Sequence, residues 1–227
     1  MQAPTPDGSA PTTVRDAQTL AYMKLLSQLH KDIGEIHGEP ILRRFRRWQT
    51  VKSPAVRMQQ QDYDPAWADA FTAGAAAVSQ ALSGHAFALH HIGSTSVPGM
   101  ASKPIIDMVL ALDDGDDLEP VRARLSTLGY ACWGNSPVRP DVDWLWHAQS
   151  APVQRVIHLC LSSNPWIGAA INFRDYLRVS PDKRSEYMDL KQRLAAEAGT
   201  DLALYSVKKA SLLYRFNLAA NAWRAAQ

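Results

Sequence analysis

Apolar and polar positions divide the chain into an irregular opening and a regular remainder. Near the start, Leu20, Met23 and Leu26 recur at helical spacing and predict a helix over about residues 15–29, which Gly34, Gly38 and Pro40 interrupt. A basic stretch, Arg43-Arg44-Phe45-Arg46-Arg47-Trp48, follows, and its plainest reading is a solvated helix face. From about residue 56 the pattern sharpens. Asp64 and Pro65 suit an N-cap and a first helical position, where N–H groups have no partner inside the helix. Trp67, Phe71, Gly74, Val78 and Leu82 then fall on one stripe, and Gly84 ends the helix. Residues 85–92 read as a strand, 93–104 as a turn-rich loop, and 105–112 as an apolar run of strand length.

Beyond that run, Asp116 or Asp117 opens a helix with Leu118, Val121, Leu125 and Leu128 inward, and Gly129 closes it. Short strands are expected at 130–133, 143–148 and 153–161, and the chain is helical from Trp166 onward. Ser180-Pro181 starts one of these helices and Gly199 stops it; the last runs from about 202 to 223. This order predicts an α/β (α+β) fold, a mixed sheet flanked by helices with a helical C-terminal part. Two segments result: an extension, 1–55, with a disordered start, a helix and the basic stretch; and one domain, 56–227.

Composition narrows the function classes. Of 227 residues 46% are hydrophobic and 20% charged, the balance of a globular chain, and a net charge of +2 gives no reason to expect a nucleic-acid partner. No apolar run reaches the length of a membrane span and no signal-peptide pattern opens the chain, so the expected compartment is the cytoplasm. The two cysteines, Cys132 and Cys160, match neither a disulfide framework nor a zinc pattern.

The chemistry concentrates in residues 91–107. A strand delivers the turn Gly93-Ser94-Thr95-Ser96, and the next strand returns carrying Asp107. Gly93 allows close backbone approach, the hydroxyls of Ser94, Thr95 and Ser96 can donate to phosphate oxygens, and Lys103 adds a positive charge. Asp107 interrupts an apolar strand, so it faces a cleft, a metal or a cation, or else pairs with Lys103 or caps loop N–H groups.

These residues carry a resemblance. His91-Ile92-Gly93-Ser94-Thr95-Ser96-Val97-Pro98-Gly99 followed by Lys103-Pro104-Ile105-Ile106-Asp107 is similar to the signature of the GrpB family. Tyr63-Asp64-Pro65-Ala66-Trp67, Phe173-Arg174-Asp175-Tyr176-Leu177-Arg178, and the pairs Tyr187/Lys191 and Tyr205/Lys209 extend the match over about residues 56–216. The resemblance implies a nucleotidyltransferase-like fold of the polymerase-β type, in which a Gly-Ser turn precedes a strand with two acids one residue apart that hold divalent metal ions. Here Asp107 is the first acid, and the second position is Val109. A magnesium site therefore needs a further carboxylate, for which Asp143 is the candidate.

Other residues complete the expected cleft. His158 is a candidate base, metal ligand or phosphate contact, or a hydrogen-bonded buried histidine; Cys160 stands where the family usually has a second histidine. Lys209 is the one charge on the stripe of Tyr205, Leu212, Phe216, Ala219 and Trp223, and it either snorkels or reaches an anion. Arg174 and Arg178 share a helix face and suit phosphate or an ion pair with Asp175, and Arg139 is a further loop candidate. The expected activity is nucleotidyl transfer on a nucleotide or phosphorylated small molecule. Anion binding without catalysis, or another transferase or ligase chemistry in the same cleft, are the alternatives.

Overall fold

The structure, a computed structural model, describes residues 60–136, 139–147, 153–199 and 202–227. The expected helix at 15–29, the basic stretch and the rest of the N-terminal extension lie outside the described residues. Helix α1 (Ala66–Ala81) starts where Asp64 accepts the Ala66 N–H at 2.9 Å, so the aspartate caps as its residue type predicts. Strand β1 (Phe87–Ile92) leads into a single 3₁₀ turn at Ser94–Ser96, and β2 (Ile105–Leu112) returns antiparallel to it. Helix α2 (Leu118–Thr127) is capped by Asp117, followed by β3 (Ala131–Ser136), β4 (Arg139–His147) and β5 (Gln154–Leu161). Strands β3 and β4 are longer than the sequence pattern suggests, because their ends carry polar residues and irregular pairing around Asn135.

The sheet order is β1-β2-β5-β4-β3, with β2 and β5 parallel and the other pairs antiparallel. Side chains on one face, among them Ile106, Met108, Leu110, Leu145, Ile157 and Leu159, pack under Trp67, Val78 and Leu82 of α1 and Val121 and Leu125 of α2. The other face presents Ile92, Val109, Ala111, Val142 and Cys160 to Trp166 and Ile167 of α3 (Pro165–Val179). Burying each large apolar side chain in these layers contributes ~1.5–3 kcal/mol.

Helices α4 (Pro181–Ala198) and α5 (Leu202–Ala225) complete a third cluster. Tyr187, Leu212, Phe216 and Ala220 close on Phe173, Tyr176 and Leu177 of α3, and also on Val97 and Met100 of the loop after β1. The far end of that loop is pinned by two backbone hydrogen bonds, both 2.9 Å, between Gln61 and Ser102. The sheet thus offers the turn and Asp107, and the C-terminal helices bring their side chains over them.

Candidate functional site

The turn is built for one close contact. Gly93 has φ 72°, a conformation that costs an L side chain, and a Cβ placed there would lie 2.8 Å from Asp107 Oδ2. Two expected phosphate donors instead hold the turn itself. Thr95 Oγ1 donates to the Ile105 carbonyl at 3.0 Å, and Ser96 Oγ donates to the Gly93 carbonyl at 2.6 Å; both residues are buried. Because the Thr95 proton is committed, its oxygen accepts from Nε2 of His91 at 3.1 Å, which assigns the tautomer of that histidine. Burial, helped by Arg178 and Arg174 and opposed by Asp107, lowers His91 to about 4, so it stays neutral, stacked on Phe71.

The two arginines of α3 are also clamps. Arg178 donates through Nε (2.9 Å) and Nη2 (2.7 Å) to the Ser96 carbonyl, and Arg174 donates through Nη1 to the His91 carbonyl at 3.0 Å. Asp175 holds Arg174 at 2.7 Å and is itself reached by Arg224 of α5 at 3.0 Å. Expected as ligand contacts, Arg174 and Arg178 fix the turn from behind. Of the three turn hydroxyls, only that of Ser94 faces side chains of the cleft.

Asp107 and His158 meet diagonally across the parallel pair. The register sets Asp107 opposite Val156 and Val109 opposite His158, so both functional side chains project from the α3 face of the sheet. His158 Nε2 lies 3.0 Å from Asp107 Oδ1, with the histidine side chain 3% and the aspartate 31% exposed. Burial works against ionising Asp107, but the His158 hydrogen bond and the charges of Lys209 and Arg139 outweigh it and hold its carboxyl below the usual range. Burial lowers His158, so a neutral imidazole donates its Nε2–H to an ionised carboxylate. Among the described residues its Nδ1 has no hydrogen-bond partner, and the ring packs edge-on against Trp144 and Trp166, over which the Arg139 guanidinium lies at 5.1 and 4.3 Å.

Opposite this carboxylate, three lysines converge from three elements. Lys103, from the loop, lies 5.1 Å from the centre of the Tyr205 ring, and Lys209 of α5 lies 6.0 Å from it. Lys191 of α4 is only 4% exposed and donates to Ser94 Oγ at 3.2 Å and to the Ala101 carbonyl at 3.1 Å. Burial and the neighbouring Lys209 and Lys103 lower Lys191 to about 7; burial and Lys209 lower Lys103 to about 8 against the pull of Asp107. Lys209 is half-buried, and although burial works the other way, the Tyr187 and Tyr205 phenols and Asp107 raise it above the ordinary lysine range. Lysines that depress one another in this way lie close together in one positive cluster.

The second expected metal carboxylate is elsewhere. Asp143 projects with Leu145 from the other face of the sheet, where Arg122 Nε (2.6 Å) and Asn135 Nδ2 (2.9 Å) occupy its two oxygens. Val109 is fully buried among apolar neighbours, and burial pushes the Cys160 thiol up to about 12, so it stays protonated. Among the described residues no group of three or more His, Cys, Asp or Glu could hold a metal ion. One carboxylate, already sharing an oxygen with His158 and facing three lysines, does not fit a resident magnesium pair, which requires several oxygen ligands.

Two contributors were not placed in the cleft by sequence reasoning, Lys191 and Tyr205. A signal existed. Tyr187/Lys191 on α4 and Tyr205/Lys209 on α5 repeat one spacing of four residues, which puts the lysine of each pair on the same helix face as its tyrosine.

A UPF0157 protein of Pseudomonas aeruginosa is 31% identical over 169 residues, covering 74% of this chain and 69% of the relative. One from Streptomyces coelicolor is 31% identical over 171 residues, covering 75% of this chain and 88% of the relative. The crystal structure of the conserved protein GrpB from Enterococcus faecalis superposes with a TM-score of 0.57 at 26% identity, covering 69% of this chain and 96% of that one. Among the described residues no helix is long and apolar enough to cross a membrane. The sequence model for the family described as GrpB protein matches residues 57–217, a span that contains the turn, Asp107, His158 and all three lysines, and the chain belongs to the GrpB family.

Proposed function

We propose that the cleft binds a nucleotide or phosphorylated small molecule and carries out a group transfer of the nucleotidyltransferase type at Asp107. The observation that carries this reading is the cluster of three lysines at the turn, Lys191 on the Ser94 hydroxyl and Lys103 and Lys209 sharing Tyr205 and acting on Asp107. Phosphate oxygens would find ammonium donors on one side and a hydroxyl on the other, in a site whose donors are already fixed by packing. The carboxylate, kept ionised and aimed by His158, is placed to accept the proton of an attacking hydroxyl; as the hydroxyl oxygen bonds to the transferred phosphorus, the bond to the departing pyrophosphate breaks and the lysines take up the charge that leaves with it. His158 acts through Asp107 and is a positioning residue.

The test is to incubate the protein with each of the common nucleoside triphosphates and candidate hydroxyl acceptors, following products by phosphorus NMR. Asp107→Asn is expected to lower turnover ~100-fold or more, the usual range for losing a positioned base, with the fold retained. Unchanged turnover in that variant excludes the assigned role. A second reading, binding without transfer, is favoured by Val109 in the place of a second acid; it is supported if nucleotides raise the melting temperature but none is consumed.

A further inference from the structure

We infer that the cleft takes its phosphate-bearing ligand without a divalent ion, the ammonium groups of Lys103, Lys191 and Lys209 neutralising the anion directly. This rests on the reading of the cleft as a phosphate site and specifies the ionic form of the ligand. A phosphate that arrives with magnesium needs carboxylates on the protein to hold the metal, and a phosphate that arrives alone needs cations. This site has the second inventory.

The positions of the charges make the choice. Lys191 is sealed beneath the turn with its Nζ on Ser94 Oγ and on the Ala101 carbonyl, so its charge is directed at the place where Ser94 would meet a phosphate oxygen. Lys103 and Lys209 share the Tyr205 ring, which keeps both ammonium groups at the same wall of the hollow. Arg139 acts electrostatically on Asp107 and Lys209 from the opposite side. Lys103, Lys209 and Arg139 thus act on one carboxylate, and Lys191 lies in the field of Lys103 and Lys209. A divalent cation entering that field is repelled by more charge than attracts it, whereas a pyrophosphate-like anion gains from every lysine. The remaining carboxylate nearby in sequence terms, Asp143, is turned to the other side of the sheet and neutralised by Arg122.

The sign of one substitution separates the two schemes. If a metal bridges Asp107 to the ligand, removing the carboxylate charge abolishes binding; if lysines alone neutralise the ligand, it removes a repulsion and binding tightens. Titration calorimetry with inorganic pyrophosphate as the probe, first in EDTA and then in excess magnesium, reads this directly. In EDTA the protein is expected to bind at least as tightly as in magnesium. Asp107→Asn is expected to bind about fivefold more tightly, the Coulomb effect of deleting one like charge a few ångströms from an anion in a solvated site. Lys191→Met and Lys209→Met, each of which keeps an apolar stem in place of the charged side chain, are expected to weaken binding about tenfold or more. Binding that requires magnesium and is lost in Asp107→Asn overturns the metal-free inference and leaves the phosphate reading standing. Unchanged affinity in both lysine variants overturns the lysine assignment. Pyrophosphate heat absent under both conditions overturns the phosphate reading as well.

Discussion

Two aspartates on neighbouring parts of one sheet show how differently the same side chain can be used. Asp143 on β4 is buried, and its oxygens are taken by Arg122 and Asn135, so a buried charge is fully matched inside the protein. Asp107 on β2 is 31% exposed, hydrogen-bonded through one oxygen to His158, and lies in the field of Lys209 and Arg139. The first arrangement supports the fold, since a charge removed from water must be matched where it sits. The second leaves part of the carboxylate exposed beside several cations. What separates Asp143 from the proposed site acid is that both of its oxygens are hydrogen-bonded inside the protein, while Asp107 remains partly exposed.

The most damaging way to probe this contrast is Gly93→Ala. The substitution forces a side chain into a positive-φ position and within 2.8 Å of Asp107 Oδ2, and should cost about 2–4 kcal/mol in urea denaturation while displacing the carboxylate. Arg122→Met comes next. It strands the Asp143 charge with Asn135 alone and should cost about 2 kcal/mol, less than a fully sealed pair because Arg122 is 30% exposed, with pyrophosphate affinity unchanged. Asp107→Asn should do the reverse, moving stability by less than ~1 kcal/mol and acting on the ligand.

A pH series sharpens the comparison further. Lys191 at about 7 and Lys103 at about 8 lie well below the ordinary lysine range, so across the neutral to alkaline interval the unfolded chain holds protons that the folded one releases. Stability without ligand should therefore rise as pH increases through these values, and the penalty should be fully present below them. Anion affinity should move the opposite way, falling up to ~tenfold per pH unit for each lysine that discharges. Lys191→Met should flatten its share of both curves; equal slopes in variant and parent would refute the coupling. The smallest effect is expected from Arg178→Met, which frees the Ser96 carbonyl and should cost about 1 kcal/mol with a modest loss of affinity.

Much of the framework was legible from residue pattern. Asp64, Asp117, Ser180-Pro181 and Gly199 mark helix ends by chemistry local to a few residues, and the structure puts the ends there within a residue or two. The turn and Asp107 were legible for the same reason: a charge in an apolar strand beside a hydroxyl-rich loop is a local anomaly. What lay beyond reach was set by long-range geometry. The face on which Asp143 projects depends on the pairing of β4 with β5, and a shift of one residue would reverse it. Arg174 and Arg178 can reach a ligand or a carbonyl with equal ease, and only the packing of α3 against the turn decides for the carbonyls of His91 and Ser96. That the Thr95 and Ser96 hydroxyls close the turn itself was not legible, because a free hydroxyl and one bonded to its own loop look alike in a string of letters.

The order in which the cleft's parts occur along the polypeptide has a consequence for biosynthesis. The acid, the turn and one lysine belong to the first half of the chain, His158 follows 51 residues after the acid, and Lys191 and Lys209 come last. A nascent chain emerging from the ribosome could pair its strands while still lacking two of the three ammonium groups. On the proposed reading, competence to hold an anion arrives abruptly, when α5 docks, and a product shortened by its last helices keeps the sheet yet loses two of the proposed anion contacts.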